Sequence, residues 1–260
     1  MTIDHRYWAE YLLDGVDRRS EVQSIEAQIG PFSLDDAYLI QDHVVSARIK
    51  RGEAIVGAKL GLTSIAKQQQ MGVNEPCYGW LFDTAMLTTD NVEVHELIHP
   101  RVEPEFVFVM AEDVSGAEVT AADILDATSY VCGGIEVIDS RYQAFKFTLS
   151  DVIADNTSAA RARIGDACPV LVDLHELPDV PVSFMIDGVE AACASGAALL
   201  GSPAECVAML ARHLYKRGSY IKAGWTILAG APTDAKPLAV GTQAVAAYAS
   251  QFSHVKVNGR

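Results

Sequence analysis

The sequence has no long apolar run and few basic residues. No stretch reaches the roughly 18 apolar residues that a membrane-spanning helix needs, so a membrane is not an expected partner. The 20 lysines and arginines stand against 34 aspartates and glutamates, which leaves a formal net charge of −14. Charge of this sign repels phosphate backbones and argues against nucleic-acid binding. A small anionic substrate is compatible with it, because a bound metal ion or one arginine reverses the charge locally.

Cysteine is scarce and irregularly spaced. None of the five forms a C-x-x-C pair, and they are Cys77, Cys132, Cys168, Cys193 and Cys206. This spacing argues against a disulfide framework or a zinc ribbon and favours reduced, mostly buried thiols. The first residues are acidic and aromatic rather than basic and then apolar, so no export signal is predicted and we expect a cytoplasmic protein. A composition of 50% hydrophobic and 21% charged residues is that of a folded domain.

Residues 1–72 have a mainly helical pattern. Ser33 is placed to cap a helix that runs to Gly52. Apolar residues recur along it at three- and four-residue spacing, at Ala37, Ile40, Val44 and Ala47. Residues 54–62 then predict a buried strand, and residues 64–72 predict a short helix that ends at Gly72.

From residue 73 onward, short β segments dominate. Residues 102–110 alternate in the period of two that is typical of a strand, and Asp187-Gly188 between apolar flanks predicts a hairpin. Further strands are predicted at 224–231 and 243–250, and helices at about 120–131 and 204–217. The sequence therefore predicts an α+β fold in which a helical N-terminal region, 1–72, precedes a β-rich catalytic core, 73–260, the two acting as one functional unit.

Acidic residues within this core predict a metal site. Glu103 and Glu105 lie two apart in a strand, so their side chains project from the same face. Two neighbouring carboxylates in a partly buried site repel each other, and a divalent cation removes that cost. Oxygen ligands favour Mg²⁺ or Mn²⁺ over zinc. A third acid, Glu136, lies in another apolar run. The alternative interpretation is an exposed acidic strand face without a metal.

Two further polar features interrupt apolar segments. Lys59 lies in the strand predicted at 54–62, where its charged end either extends to the surface or serves as a catalytic ammonium. Asp155 and Ser158 belong to a polar cluster that follows an apolar stretch. The alternative interpretation of this cluster is a turn whose side chains cap backbone amides.

Four segments together resemble the family of 2-oxopent-4-enoate hydratases and 4-oxalocrotonate decarboxylases of the meta-cleavage pathways. They are GAKLGLTSIAKQQQMGVNEPCYGWLFD, HPRVEPEFVFVM, EVIDSRYQAFKF and DVIADNTS. The resemblance implies the fold of the fumarylacetoacetate hydrolase superfamily, with a mixed β-roll or barrel core. It also implies that Glu103, Glu105 and Glu136 bind Mg²⁺ (or Mn²⁺) and that Lys59 is an active-site residue.

Within this family, the sequence is more similar to the decarboxylases. Cys77 stands where the hydratases carry an aspartate, and the arginine that typically follows the ADN block of the decarboxylases is Arg161. The distal carboxylate of a dicarboxylate substrate needs a cationic partner, and we expect Arg161 to bind it. The resemblance also implies that Ser158 forms a hydrogen bond with the substrate. Asp155 would orient Lys59 or a metal-bound water. The alternative for Arg161 is a surface residue after a turn.

The expected reaction is the metal-dependent decarboxylation of 4-oxalocrotonate, a small dicarboxylate 2-oxo acid, to 2-hydroxypenta-2,4-dienoate and CO₂. The resemblance further implies a complex with the hydratase of the pathway, and we expect the chain to form a homo-oligomer. The first alternative is the hydratase itself. The others are a C–C hydrolase or acylpyruvase of the superfamily, and an inactive subunit that supports a hydratase.

Overall fold

The computed structural model describes residues 3–65, 68–69, 73, 75–167, 174–248 and 252–260. The short helix predicted at 64–72 lies partly outside this set, and of its residues Ile65, Gln68 and Gln69 are helical. Among the helices of the described residues, none combines the length and the apolar character that crossing a bilayer requires.

Helices dominate the first 50 residues. They are α1 (His5–Arg18), α2 (Ile25–Ile29) and α3 (Leu34–Lys50). The Ser33 hydroxyl accepts a hydrogen bond from the backbone N–H of Asp36 at 3.1 Å, and Gly52 follows the end of α3 with a φ of +96°. The helix predicted between Ser33 and Gly52 is therefore confirmed. Its buried face includes Ala37, Ile40 and Val44 and packs against α1.

The larger sheet has seven strands among the described residues. They are β1 (Ile55–Gly61), β2 (Cys77–Phe82), β4 (Pro100–Met110), β5 (Thr128–Asp139), β6 (Ala159–Ile164), β9 (Thr226–Leu228) and β10 (Lys236–Pro237). Their order is β2-β1-β9-β4-β5-β6, with β10 paired to β4. The β1–β9 pair is parallel, and the other pairs are antiparallel. The strand predicted at 102–110 is thus a central strand of this sheet.

In the part of the chain that the structure describes, the second sheet has five strands. They are β3 (Asn91–Val92), β7 (Pro181–Ile186), β8 (Val189–Ser195), β11 (Gln243–Tyr248) and β12 (Val255–Gly259), in the order β3-β12-β11-β7-β8. Asp187 and Gly188 join β7 to β8 with φ values of +50° and +80°, so the predicted hairpin is confirmed.

Among the described residues, three further α-helices of six residues or more lie between strands. They are α4 (Ala121–Asp126), α5 (Leu149–Ala154) and α6 (Pro203–Lys216). The helix predicted at about 204–217 is confirmed. The helix predicted at about 120–131 is wrong beyond Asp126, because the following segment, rich in β-forming residues, starts β5 and pairs with β4.

The mixed helix and strand composition confirms the predicted α+β class. The boundary at residue 72 stays a prediction. In the structure β1 pairs with both β2 and β9, so the segment just before this boundary already belongs to the large sheet. Helices α1 to α3 precede the first strand of this sheet.

Candidate active site

Two adjacent strands bring the three predicted glutamates together. Glu103 on β4 lies directly opposite Glu136 on β5, and Glu105 follows two residues later on the same face of β4. One carboxylate oxygen of each lies within 4.8 Å of the others, and all three side chains are buried. This convergence agrees with the sequence prediction and excludes the alternative of an exposed acidic strand face.

Lys59 reaches the same cluster from a distant strand. β9 and β4 lie between β1 and β5, yet the Lys59 Nζ lies 3.0 Å from Glu136 Oε2. Such a contact requires the sheet to curl, so that side chains on its concave face meet. The ammonium also donates to the backbone oxygen of Thr157 at 3.2 Å, and Lys59 is only 2% exposed. The charged end therefore does not extend to the surface.

Burial and mutual repulsion dominate the electrostatics of the glutamates. Burial, reinforced by Glu136 and Glu103, raises the pKa of Glu105 well above its ordinary value. Burial also raises the pKa of Glu136 to about 8, although Lys59 opposes the shift. Burial alone would lower the pKa of Lys59, but the charges of the glutamates outweigh it and raise that pKa. The lysine is therefore protonated at neutral pH.

The cluster fits a divalent cation. When all three carboxylates are ionised, the Lys59 ammonium leaves two negative charges without compensation. The Oε1 atoms of Glu105 and Glu136 are buried and have no hydrogen-bond partner among the described residues. A divalent metal ion would satisfy these oxygens and displace the protons that the raised pKa values otherwise retain. A set of carboxylate oxygens is typical of Mg²⁺ and Mn²⁺ sites.

Two hydrogen bonds hold Glu105 in position. The N–H of Gly230 donates to Glu105 Oε2 at 2.7 Å, and the Tyr248 hydroxyl donates to the Glu105 backbone oxygen at 2.5 Å. Gly230 has a φ of +117°, and a Cβ atom there would lie 2.0 Å from the Thr63 Oγ1. Only glycine therefore allows the chain to approach Glu105 in this conformation.

A cavity of about 470 Å³ opens beside the cluster. Its polar lining includes Lys59, Cys77, Arg101, Glu103, Thr157 and Ser158, and its apolar lining includes Leu60, Leu62, Ile138, Phe145, Phe147 and Val152. This size and this mixture are typical of a site for a small organic molecule.

A strained turn presents Ser158 to this cavity. Asn156, Thr157 and Ser158 have φ values of +50°, +52° and +56°, which L-residues rarely adopt in succession. The Asn156 side chain holds the turn, because its Oδ1 accepts from the Trp80 N–H at 2.7 Å and its Nδ2 donates to the Trp80 oxygen at 2.9 Å. The Ser158 Oγ is buried without a hydrogen-bond partner among the described residues. Its capacity to form a hydrogen bond at the cavity wall is therefore unused among the described residues.

Asp155 does not contact Lys59, in contrast to its predicted role in orienting that residue. Its Oδ1 lies 3.1 Å from Arg141 Nε, and its Oδ2 accepts from the Arg141 backbone N–H at 3.2 Å. Its own backbone oxygen accepts from the Ser158 N–H at 3.0 Å. Burial raises the pKa of Asp155 to about 7, and Arg141 opposes this shift. Asp155 thus links the strained turn to Arg141.

The structure also corrects the predicted position of Arg161. On β6, Ala162 pairs with Glu136 and Arg161 pairs with Val137, so the Arg161 side chain projects from the opposite face of the sheet. Its Nη2 lies 3.2 Å from Glu96 Oε2. Arg161 lines a separate cavity of about 200 Å³ that Asp155 and Arg141 also line.

Sequence reasoning missed Arg101. It precedes Glu103 by two residues on β4, lines the same cavity as Lys59, and has its guanidinium carbon 3.9 Å from the centroid of the Phe145 ring. The signal was present in the sequence, because the alternation that places Glu103 and Glu105 on one face extends to this residue.

Cys77 lines the cavity as a neutral thiol. It lies at the start of β2 and is 3% exposed. Burial raises its pKa, although the charge of Lys59 opposes this. Cys77 is therefore unsuited to serve as a base in the way that an ionised aspartate could.

No family model matches the chain, but characterised proteins do. It is 41% identical to a 4-oxalocrotonate decarboxylase of Pseudomonas sp. (strain CF600) over 214 residues, which are 82% of this chain and 81% of that protein. It is 36% identical to a 2-hydroxypent-2,4-dienoate hydratase of Pseudomonas putida over 209 residues, 78% of this chain and 92% of that protein.

Solved structures of related proteins are also similar to this chain. The 4-oxalocrotonate decarboxylase from Pseudomonas putida G7, complexed with magnesium and adipate, superposes with a TM-score of 0.93 at 33% identity, covering 98% of this chain and 97% of that one. A fumarylacetoacetate hydrolase family protein from Yersinia pestis CO92 has a TM-score of 0.58 at 12% identity, covering 78% and 92% of the two chains. The second likeness shows the shared fold alone.

Proposed function

The chain belongs to the family of 4-oxalocrotonate decarboxylases and 2-hydroxypent-2,4-dienoate hydratases, has the fold of the fumarylacetoacetate hydrolase superfamily and is a lyase; on this basis we propose that it decarboxylates 4-oxalocrotonate. The observation that carries the proposal is the buried cluster of Glu103, Glu105, Glu136 and Lys59 beside a cavity of about 470 Å³. The product would be 2-hydroxypenta-2,4-dienoate, formed during the meta-cleavage degradation of aromatic compounds.

Glu103, Glu105 and Glu136 would hold Mg²⁺ or Mn²⁺. Their oxygens are close enough to share one ion, and two of them are buried without a partner among the described residues. The metal ion would act as a Lewis acid that makes the 2-oxo group a better electron acceptor. Magnesium in the structure of the Pseudomonas putida G7 decarboxylase supports this choice.

Lys59 would stabilise the charge that develops during the reaction. When the bond to the distal carboxyl group breaks, CO₂ leaves, and the electron pair moves through the conjugated system to the 2-oxo oxygen. Contacts with Glu136 and the Thr157 oxygen fix the Lys59 ammonium before the substrate binds, so little reorganisation is needed as this charge forms. Lys59 is also the group able to give a proton to that oxygen.

Ser158 and Asp155 would have supporting roles. The buried Ser158 hydroxyl would donate a hydrogen bond to the substrate. Asp155 would act as a positioning residue, because its contacts with Arg141 and Ser158 hold the turn that supplies both Ser158 and the Thr157 oxygen. The apolar walls of the cavity would limit the access of water to the dienolate.

The hydratase activity is the second candidate. The hydratase relatives are nearly as similar to this chain as some of the decarboxylases, since identities of 36% occur in both groups. Cys77 disfavours water addition, because a buried neutral thiol replaces the carboxylate that the resemblance implies for the hydratases.

An absorbance assay separates the two activities. We expect the purified chain to consume 4-oxalocrotonate and release CO₂ in the presence of Mg²⁺, and to lose this activity in EDTA. We expect hydration of 2-hydroxypenta-2,4-dienoate by the same sample to be at least 100-fold slower. Comparable or faster hydration, without CO₂ release from the dicarboxylate, would assign the chain to the hydratases.

The proposal also covers the cellular location, the oligomeric state and the protein partner of the enzyme. We propose a cytoplasmic homo-oligomer that associates with the hydratase of the same pathway. The chemistry supports such a complex, because the dienol that this enzyme releases is the substrate of the hydratase. Co-purification of the two untagged chains, tested by size-exclusion chromatography, would detect it.

A further inference from the structure

We propose that Arg101 binds the distal carboxylate of the substrate and thereby makes the site selective for dicarboxylates. This inference rests on the proposed function, since it identifies the residue that recognises the group to be lost as CO₂. It assigns to Arg101 the role that the sequence pattern suggested for Arg161.

The position of Arg101 on β4 suits this role. Residues 101, 103 and 105 lie on the same face of β4, because side chains two apart along a strand project in the same direction. Arg101 lines the cavity together with Glu103 and Lys59. Two residues along a strand span roughly 6–7 Å. This spacing is comparable to the distance between the two carboxylates of an extended six-carbon diacid. A substrate whose 2-oxo acid end lies at the glutamate cluster would therefore extend its other end towards Arg101.

The guanidinium of Arg101 is free to bind an anion. It has no ion pair and no hydrogen bond with any described residue, although the chain carries a net charge of −14. The neighbouring arginines are all engaged, since Arg141 pairs with Asp155, Arg161 with Glu96 and Arg163 with Asp90. Arg101 is also partly exposed within the cavity wall, so a ligand can reach it.

Phe145 orients the guanidinium. The Arg101 Cζ lies 3.9 Å from the centroid of its ring, a cation–π contact that covers one face of the guanidinium and leaves its N–H edge open. Ala144 and Phe145 have φ values of +54° and +57°, so the loop adopts a strained conformation to present this ring. An arginine held in this way can donate two parallel hydrogen bonds to a carboxylate.

The chemistry of decarboxylation predicts how the contact affects the kinetics. The distal carboxylate is charged in the bound substrate and becomes neutral CO₂, so an arginine that binds it stabilises the ground state at least as well as the transition state. Arg101→Met should therefore raise the KM for 4-oxalocrotonate at least 10-fold and change kcat less than 3-fold. Loss of a residue needed only for correct folding would lower kcat or the yield of folded enzyme instead.

Binding of two inert 2-oxo acids tests recognition directly. 2-Oxoadipate and 2-oxohexanoate share the 2-oxo acid end, and only 2-oxoadipate has a distal carboxylate. Isothermal titration calorimetry with the Mg²⁺-loaded enzyme measures the affinity for each acid. Arg101→Met should lower the affinity for 2-oxoadipate at least 10-fold and the affinity for 2-oxohexanoate less than 2-fold. Arg161→Met is the matched control and should leave both affinities within 2-fold. Equal losses for both acids in the Arg101 variant, no loss for either, or a selective loss in the Arg161 variant would overturn the proposal.

Two additions keep the test decisive. If Arg101→Met does not fold, Phe145→Leu is the second variant, because it removes only the ring that orients the guanidinium. It should lower the affinity for 2-oxoadipate about 3-fold and leave the affinity for 2-oxohexanoate unchanged. An unchanged 2-oxoadipate affinity in that folded variant would count against the role of Arg101. Failure of the proposed function gives a different result: the wild type would not release CO₂ from 4-oxalocrotonate, yet the selective loss of 2-oxoadipate binding would persist.

Discussion

Glu103 and Glu136 lie directly opposite each other on two antiparallel strands, and both side chains are buried. The charge of Glu103 therefore adds to the electrostatic cost of ionising Glu136. A fold that tolerates this arrangement gains stability when a cation binds, because a ligand that binds only the folded state shifts the unfolding equilibrium. The metal site should consequently be detectable without any substrate.

We first predict that Mg²⁺ raises the melting temperature of the chain and that Glu105→Gln weakens metal binding at least 10-fold. The substitution keeps the shape of the side chain but removes the charge of a ligand whose Oε2 is already held by Gly230. Thermal unfolding over a series of Mg²⁺ concentrations measures both effects. Glu96→Gln is the control, because Glu96 pairs with Arg161 outside this cavity. A wild-type response of Glu105→Gln to Mg²⁺, or full activity in EDTA, would contradict the prediction.

The second prediction concerns Lys59. Lys59→Met retains much of the side-chain volume and removes the charge beside Glu136, so kcat for 4-oxalocrotonate should fall at least 100-fold. Metal affinity should not fall, because the variant removes a cation that competes with the metal ion for the carboxylates. Steady-state kinetics and the Mg²⁺-dependent melting curve measure these two quantities. A folded variant with kcat within 10-fold of wild type would show that Lys59 is structural.

The glutamates and Lys59 could be predicted because local patterns determine them. The period of two in β4 places Glu103 and Glu105 on one face whatever the rest of the chain does, and Lys59 is conspicuous in an apolar strand. That Lys59 reaches Glu136 depends on the curl of the sheet, which no local pattern contains. Here the family resemblance supplied what local patterns could not.

Arg161 shows where reasoning along the chain fails. The last residue of the ADN block, Asn156, and the two residues between it and β6, 157–158, are all left-handed. The β5–β6 register also shifts between Val137 and Ile138. Each irregularity changes which face of the sheet a following residue occupies. Counting from the ADN block therefore could not tell that Arg161 would project away from Glu136.

The third prediction tests the backbone that supports Glu105. Gly230 and Gly188 both have positive φ values, +117° and +80°, but a Cβ atom at Gly230 would meet Thr63 whereas one at Gly188 would meet nothing within 4 Å. Gly188→Ala should cost about 1–2 kcal/mol of unfolding free energy from the backbone conformation alone. Gly230→Ala should cost more and should also weaken Mg²⁺ binding, because it displaces the donor to Glu105. Urea unfolding and Mg²⁺ titration of both variants check this. Equal costs with unchanged metal affinity would mean that the chain relaxes around the new methyl group.

The last prediction follows from the buried pair of Asp155 and Arg141. Burial raises the pKa of Asp155 from 3.8 to about 7 in the folded chain, so the folded state holds this proton more tightly than the unfolded state does. The contribution of Asp155 to stability is therefore fully present below about pH 4 and is lost as the pH rises to about 7.

Asp155→Asn carries no titrating group at this position. The measured quantity is the free energy of unfolding of the wild type minus that of the variant. This difference should fall between pH 4 and pH 7 and stay constant above pH 8. The fall should be at most roughly 4 kcal/mol, the value that a shift of about three pKa units represents. Urea unfolding of both proteins at matched ionic strength measures this difference, from which titrations common to both proteins cancel. A difference that stays constant, or that grows with pH, would show that the Arg141 guanidinium keeps Asp155 ionised in the folded chain, and that its charge supports the turn at Ser158.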